Sequence, residues 1–237
     1  RMLSIIKRLQ NAQVVLQNHF MRFDKLIRPL LSNSVSILHG NAYENELLYL
    51  ADPNWKMYIA DKKIVLAIVA HNVDSISATK IEENYQIKAY EIFSGISQSE
   101  IETLVHQWEK EPGVLVFKGK GFLLELYGTF QVALVGGGFH GHSHSILEPY
   151  LAGCMVYCGP HIFRSSEYFQ VKDLEGQKII SISTIEQWRS ECLNKILNLS
   201  IEKKDQALNQ ATQLYQHSTL IQAKGFLEKI IGGKFGN

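Results

Sequence analysis

A run rich in glycine and histidine, Gly136-Gly-Gly-Phe-His-Gly-His-Ser-His144, is the part of the sequence best suited to chemistry. Glycines let backbone N–H groups approach a phosphate closely, and a helix start adds partial positive charge. We expect a helix to begin near His144 and Ser145, with Glu148 on its first turn, where a carboxylate can hold a ribose diol. The spacing matches neither the Rossmann nor the Walker motif, so a tight turn explains the glycines equally well.

Two further loops carry histidines, and each follows a predicted strand. His71 comes directly after the apolar run Ile64–Ala70, and Gly159-Pro160-His161 comes after Met155–Cys158. Ligands of an open parallel sheet bind beyond the carboxyl ends of its strands. We therefore expect these loops to lie at one edge of one sheet, together with the glycine-rich run, and to form a site there.

The spacing of His140, His142 and His144 also suits a metal site. Alternate residues of an extended segment share a face, so these imidazoles and His161 could converge on zinc. Glycines interrupt the run, however, and it contains no carboxylate or thiol to complete a typical site. We therefore expect no metal, and a metal-dependent hydrolase is a distant alternative.

The remaining reactive side chains have simpler explanations. The sequence has no G-x-S-x-G motif, and Cys154 and Cys158 belong to an apolar run, so small buried thiols explain them better than a hydrolase nucleophile does. His39, near the end of the first strand, precedes Glu44 and Glu46. These acids fit either ligand contacts or a solvated first helical turn, and the helix dipole favours the second.

The elements that position these loops are short β-rich runs alternating with helical patterns, typical of βαβ units and a parallel sheet. Nearly continuous apolar runs indicate strands buried on both faces. The predicted strands are Val35–Leu38, Ile64–Ala70, Ile87–Ile92, Val114–Phe117, Val132–Val135 and Met155–Cys158. The predicted helices lie near 42–51, 76–84, 98–110, 120–128 and 145–152, and a further helical pattern starts at Thr184. Ser97 and Glu100 fit a capping box at the third helix.

Composition bounds the function. The 237 residues include 24 basic and 23 acidic ones, a net charge of +1, which argues against a nucleic-acid binder. No apolar stretch is long enough to span a bilayer. We predict a lead-in segment over residues 1–33, a Rossmann-like domain over 34–198, and C-terminal helices over 199–237.

Several motifs resemble those of the 3-deoxy-D-manno-octulosonic acid (Kdo) transferases of lipopolysaccharide synthesis. Three runs match in order and spacing, with a similar helix before them and similar segments near both ends. The three runs are Ala133-Leu-Val-Gly-Gly-Gly-Phe139, His144-Ser-Ile-Leu-Glu-Pro149 and Gly159-Pro-His-Ile-Phe163. The flanking similarities are Gly121-Phe-Leu-Leu-Glu-Leu-Tyr127, Met21-Arg-Phe-Asp24 and Gln222-Ala-Lys-Gly225 through Ile231.

The resemblance implies the C-terminal, CMP-Kdo-binding half of a two-domain GT-B glycosyltransferase with no cofactor. It implies a donor site in which the phosphate lies on the glycines and the helix start and the ribose on Glu148. The implied donor-binding residues are Gly136, Gly137, Gly138, His144, Ser145, Glu148, His71, Gly159 and His161. The family's general base lies in the N-terminal domain, so we expect no catalytic residue here and an inactive isolated chain.

The resemblance also implies partners and a location for the whole enzyme. The donor is CMP-Kdo, and the acceptor is a lipid A precursor held by the N-terminal domain. The full-length protein is expected to associate peripherally with the cytoplasmic face of the inner membrane in a Gram-negative bacterium.

The sequence departs from the family's pattern at four places. Ser145 replaces an Asn, and Ala70-His71 replaces an Arg-His pair. Lys118-Gly119 replaces an Asp-Thr pair, and a Ser-Thr loop is replaced near Gly40-Asn41. The alternative is therefore a degenerate glycosyltransferase-like module that is kept for binding or assembly and is not catalytic.

Overall fold

The computed structural model describes residues 2–20, 23, 27–32, 34–141, 143–171 and 179–193. The predicted C-terminal helices over 199–237 and the motif from Gln222 to Ile231 lie outside the described residues, as does His142. Of the Met21–Asp24 segment, only Phe23 is described. The proposed division of the chain at residues 33 and 198 stays a prediction.

The described residues contain a seven-stranded sheet in which every neighbouring pair is parallel. The strand order is β3-β4-β2-β1-β5-β6-β7. The strands are β1 (Val35–Ala42), β2 (Ile64–Ala70), β3 (Ala89–Phe93), β4 (Val114–Lys118), β5 (Val132–Val135), β6 (Met155–Cys158) and β7 (Ile179–Ser181). This arrangement confirms the predicted α/β class and Rossmann-like parallel sheet.

Helices connect the strands and lie on both faces of the sheet, as parallel connections require. The α-helices are α1 (Met2–Gln10), α2 (Ala12–His19), α3 (Arg28–Ser32), α4 (Pro53–Ala60), α5 (Ala78–Tyr85), α6 (Gln98–Lys110), α7 (Leu123–Tyr127), α8 (Leu147–Leu151), α9 (Ser166–Val171) and α10 (Ile185–Gln187). Two 3₁₀ helices cover Glu44–Ala51 and Pro160–Arg164, and a π-helical turn covers Trp188–Cys192. The predicted capping box is present, because Ser97 and Glu100 bond each other's backbone N–H groups at the start of α6.

The first strand is longer than predicted. The apolar pattern predicts an end at Leu38, but β1 continues to pair with β2 as far as Ala42, with a register shift between Gly40 and Ala42. His39 therefore lies inside the sheet and is fully buried. The sequence also did not indicate β7 or α4, whose short runs give little periodicity.

The order of strands creates a switch point between β1 and β5. The chain passes from β1 to β2 on one side and from β5 to β6 on the other. A crevice opens beyond the carboxyl ends of strands that diverge in this way, and ligands of such sheets bind there. The loops after Ala42 and after Val135 border this crevice.

The N-terminal helices pack on the sheet domain. Ile5 of α1 packs with Leu124, Leu147 and Leu151 in one apolar cluster. Arg8 of the same helix forms two hydrogen bonds with the buried carboxylate of Glu125, at 2.7 and 2.8 Å. Ile5 and Ile6 of α1 are thus buried in the fold.

Candidate functional site

Three aromatic rings meet at the switch point, one from each of three loops. Tyr43 follows β1, His71 follows β2, and His144 ends the glycine-rich loop after β5. The ring centroids of His71 and His144 are 4.5 Å apart, and the Tyr43 ring stacks on His71 at 4.9 Å and on His144 at 5.7 Å. We call Tyr43, His71 and His144 the imidazole stack. The predicted convergence of His71 and His144 is therefore present, and Tyr43 joins them.

The stack is held together by backbone and side-chain hydrogen bonds. The His71 N–H donates to the carbonyl of Ala42 at 2.9 Å, which ties the loop after β2 to the end of β1. The Tyr43 hydroxyl lies 3.1 Å from His144 Nε2. His71 is exposed, whereas Tyr43 and His144 are half-buried. Two imidazoles are therefore presented at the edge of the crevice.

The electrostatics of His144 favour its neutral form in the free protein. Burial and the nearby His71 ring lower the pKa of His144, while the charge of Glu46 acts in the opposite direction. The pKa of Tyr43 is raised by burial and by the charge of Glu46. The Tyr43 hydroxyl therefore keeps its proton, and His144 gains a positive charge most readily when an anion lies beside it.

Two of the three consecutive glycines in this loop donate their N–H groups to protein acceptors. Gly136 N–H donates to the Gly40 carbonyl at 3.0 Å, and Gly137 N–H donates to Glu46 Oε1 at 2.8 Å. The Gly138 N–H has no partner within the described part of the chain. A Cβ atom on Gly136 would collide with the Asn41 carbonyl. Close packing of backbone on backbone thus explains the glycines, and two of their three N–H groups are already bonded to protein.

Glu46 lies beneath this loop and is fully buried. Its Oε2 accepts the Tyr43 N–H at 3.2 Å and lies 3.6 Å from Nε2 of His39. Burial alone would raise the pKa of Glu46, but the His39 side chain and the N–H groups of Gly137 and Tyr43 together lower it. Glu46 is therefore a buried carboxylate that stays ionised.

Sequence reasoning did not find this role for Glu46. It favoured a solvated turn for both acids. Glu44 is half-exposed and lies 3.6 Å from Lys80, as that interpretation predicts, but Glu46 is not solvated. One signal was present, because Glu46 stands three residues after Tyr43, which directly precedes the helix, and a carboxylate at that position can cap the backbone.

The helix start proposed for phosphate binding is already capped by protein. Helix α8 begins at Leu147, two residues later than predicted, and has five residues. The carboxylate of the buried Glu167 accepts the Ser145 hydroxyl at 2.9 Å and the Leu147 N–H at 3.2 Å. His144 and Ser145 therefore precede the helix, and an acidic side chain occupies its N-terminus.

Glu148 lies on the first turn of α8, as predicted. Its charge contributes, after the hydrogen bond to Glu125, to a raised pKa of Arg8. It also adds to the effect of burial in raising the pKa of Tyr127. Glu148 is thus electrostatically close to α1 and α7, and its role toward a ribose stays a prediction.

Gly159 and His161 contact the other side of the glycine-rich loop. The backbones of Gly138 and Gly159 are so close that a Cβ atom on Gly138 would lie 2.7 Å from the Gly159 nitrogen. The His161 N–H donates to the Gly138 carbonyl at 3.1 Å. The Nδ1 atom of His161 is buried and has no hydrogen-bond partner among the described residues. The loops after β5 and β6 are therefore joined, as the sequence predicted.

The described histidines of the loop bond to different partners. His140 Nε2 lies 2.8 Å from the side-chain nitrogen of Asn45, and His144 bonds to Tyr43. Within the described ranges, no three histidine, cysteine or acidic side chains are grouped so that they could hold a metal ion. Because His142 lies outside those ranges, the absence of a metal stays a prediction.

Lys118, at the end of β4, is buried and bonded to protein. Its Nζ donates to the carbonyls of Val73 and Ile76 at 2.8 and 2.5 Å, and it lies 3.7 Å from Glu91 Oε1. This side chain fastens the loop that follows His71.

The comparisons with known proteins give a likeness of fold. No protein-family model matches the chain, and no curated protein matches its sequence. A solved structure that is similar is the C-terminal CMP-Kdo binding domain of WaaA from Acinetobacter baumannii, with a TM-score of 0.58 at 17% identity. The match covers 90% of this chain and 99% of that one.

A second similar structure is the pneumococcal O-GlcNAc transferase GtfA in complex with UDP and GlcNAc. It matches with a TM-score of 0.43 and 15% identity, over 83% of this chain and 36% of that chain. The WaaA match confirms the fold expected from the motifs, a Rossmann-like parallel sheet of the kind found in GT-B glycosyltransferase domains. No helix in the described part of the chain is long and apolar enough to cross a membrane.

Proposed function

We propose that this protein binds a nucleotide-sugar donor at the carboxyl ends of β1 and β5, as the donor-binding half of a glycosyltransferase. The observation that carries the proposal is the imidazole stack at the switch point, in a chain whose fold matches a CMP-Kdo binding domain over nearly its whole length. Sheets of this kind bind ligands at that crevice.

The chemistry of the site suits a phosphate. Imidazolium groups pair with phosphate oxygens through charge-assisted hydrogen bonds, and His71 and His144 lie with centroids 4.5 Å apart. The Gly138 N–H, which bonds to no described residue, is a further candidate donor from the same loop as His144. In the reaction, these groups stabilise the negative charge that develops on the leaving nucleotide phosphate.

The finer identity of the reaction belongs to the same proposal. The motif resemblance favours CMP-Kdo as donor and a lipid A precursor as acceptor, with the acceptor and the general base supplied by another domain. A peripheral position at the cytoplasmic face of the inner membrane follows from that assignment. Transfer by this chain alone is not expected.

Calorimetric titration of CMP into the full chain tests the proposal. We expect binding in the micromolar to low millimolar range, about −4 to −8 kcal/mol, and a loss of about tenfold in affinity in both His71→Gln and His144→Gln. His106→Gln is the matched control, because His106 is exposed on α6, away from the stack. No binding at millimolar CMP, or equal affinities in all three variants, would contradict the proposal.

The second candidate is a non-catalytic module with a glycosyltransferase-like fold. It is favoured by the protein groups that occupy the expected phosphate contacts, namely Glu167 at the start of α8 and Glu46 on the Gly137 N–H. It is also favoured by Lys118, whose charge is used within the fold. This candidate predicts a folded protein that binds neither CMP nor UDP and that co-purifies with a stable partner chain.

A further inference from the structure

Glu46 joins the two strands that form the switch point. Its Oε1 accepts the N–H of Gly137, directly after β5, and its Oε2 accepts the N–H of Tyr43, directly after β1. Both distances, 2.8 and 3.2 Å, are ordinary for N–H to carboxylate hydrogen bonds. A single buried carboxylate therefore fixes the separation of the glycine-rich loop and the residue that carries the stacking ring.

The surroundings keep this carboxylate charged and in place. Its side chain is 0% exposed, and Nε2 of the equally buried His39 lies 3.6 Å from Oε2. The His39 ring is enclosed by aromatic side chains, with Tyr49 at a hydrogen-bond distance of 3.1 Å and Trp188 at 5.0 Å between centroids. Gly136 packs closely against this carboxylate, because a Cβ atom on Gly136 would lie 2.7 Å from Oε2.

Glu46 also acts on the imidazole stack through its charge. Tyr43, His71 and Glu46 are the titratable groups that influence His144. Of these, His71 opposes a positive charge on His144 and Glu46 favours it. The residue that positions Tyr43 thus also stabilises the imidazolium form of its neighbour.

We infer that Glu46 is a positioning residue for anion binding, which holds Tyr43 and the glycine-rich loop in place. The inference rests on the proposed function for its ligand, a phosphate-bearing nucleotide. It adds to that proposal a buried residue that does not touch the ligand.

Glu46→Gln tests the inference, because the amide keeps the size of the side chain but loses the charge and one acceptor. An amide nitrogen would face an N–H group and leave it unpaired. With CMP as the probe, we expect affinity to fall about tenfold. Glu44→Gln is the matched control, since Glu44 begins the same 3₁₀ helix but is half-exposed, and we expect its affinity to stay within about twofold of the wild type.

Two measurements separate positioning from simple loss of stability. In an NMR titration, the midpoint of His144 should move to lower pH in folded Glu46→Gln and stay unchanged in Glu44→Gln. In the unmodified protein, the amide signals of Gly137 and Tyr43 should shift together as Glu46 takes up a proton at acid pH. The second measurement needs no variant, so it decides the question even where Glu46→Gln does not fold.

The possible outcomes are distinguishable. A folded Glu46→Gln with wild-type CMP affinity and an unchanged His144 midpoint would overturn the inference. So would amide signals of Gly137 and Tyr43 that do not follow one acid titration. Failure of the wild-type chain to bind CMP would instead count against the proposed function, and the NMR titrations would still test the positioning role.

Discussion

The carboxylate of Glu167 receives two hydrogen bonds in the structure, from the Ser145 hydroxyl at 2.9 Å and from the Leu147 N–H at 3.2 Å. It therefore caps helix α8 from outside that helix. The motif resemblance had assigned Ser145 to the phosphate of a bound nucleotide. In this chain its hydroxyl is turned to an acidic side chain, and a phosphate at the same place would meet a like charge.

Ser145→Ala is expected to lower the stability of the fold and to leave the affinity for CMP nearly unchanged. Loss of one hydrogen bond to a carboxylate should lower the free energy of unfolding by about 1–2 kcal/mol. CMP affinity should stay within about twofold of the wild type. Urea unfolding and calorimetric titration of the same preparation measure both quantities. A tenfold loss of CMP affinity with unchanged stability would show that Ser145 contacts the ligand after all.

The affinity for CMP should rise as the pH falls toward 6, because an anion favours the imidazolium form. The pKa of His144 is lowered in the free protein by burial and by His71. A bound phosphate raises it again, so proton uptake accompanies binding and acid pH strengthens it. Since a phosphate monoester also takes up a proton at about pH 6, the decisive quantity is the difference from a variant without the imidazole.

Calorimetry of wild-type protein and His144→Gln between about pH 5.5 and 8 measures that difference. The wild type should gain affinity over the variant on acidification, and the two should converge at alkaline pH. If the affinities of the wild type and of His144→Gln change in parallel with pH over the whole range, His144 does not become charged when the ligand binds. His106→Gln, with an exposed histidine on α6, should follow the wild type.

The parts of the fold that the sequence predicted well are those in which local pattern and burial agree. Strand β2 has the predicted bounds because all seven of its residues are apolar and all are buried. Helix α6 has the predicted bounds because its capping box and apolar spacing coincide. Strand β7 has three residues, and so short a run has no period to detect.

The candidate site was harder to predict, because tertiary packing determines the role of each polar group. His71 and His144 were found, since both follow strands whose carboxyl ends share an edge. The role of Glu46 was missed, because Glu44, two residues earlier, carries the same carboxylate. The two acids differ only in the folded protein, where the pairing of β1 with β5 places Glu46 under the glycine-rich loop and leaves Glu44 beside Lys80. The capping of α8 was missed because Glu167 is 20 residues from Leu147 along the chain.

Arg8→Gln should loosen the attachment of α1 to the sheet domain. Arg8 forms two hydrogen bonds with Glu125, whose side chain is 1% exposed, while that of Arg8 is 46% exposed. Removing the Arg8 cation leaves the buried charge of Glu125 poorly compensated. Because Arg8 is half-exposed, solvent screens the ion pair and makes the loss of stability smaller. We expect a loss of about 1–2 kcal/mol in the free energy of unfolding.

Urea unfolding measures the effect of Arg8→Gln, with Lys7→Gln as the matched control because Lys7 is the exposed neighbour on the same helix. The control should change stability by less than about 0.5 kcal/mol. The double variant Arg8→Gln with Glu125→Gln should recover part of the loss, since the buried charge is then removed. Equal stabilities of Arg8→Gln and Lys7→Gln would show that the ion pair does not hold the helix.

Gly159→Ala should destabilise the contact between the loops after β5 and β6. A Cβ atom there would collide with the backbone of Gly138 and lie 2.7 Å from the nitrogen of Phe139. Backbone cannot move aside as a flexible side chain can, so we expect a loss of about 2 kcal/mol or more in the free energy of unfolding. Gly141 is the matched control, because it lies in the same glycine-rich loop and a Cβ atom on it meets nothing within 4 Å. Gly141→Ala should remain within about 0.5 kcal/mol of the wild type in urea unfolding. Equal effects of the two substitutions would show that the close contact between the Gly138 and Gly159 backbones does not determine the stability of these two loops.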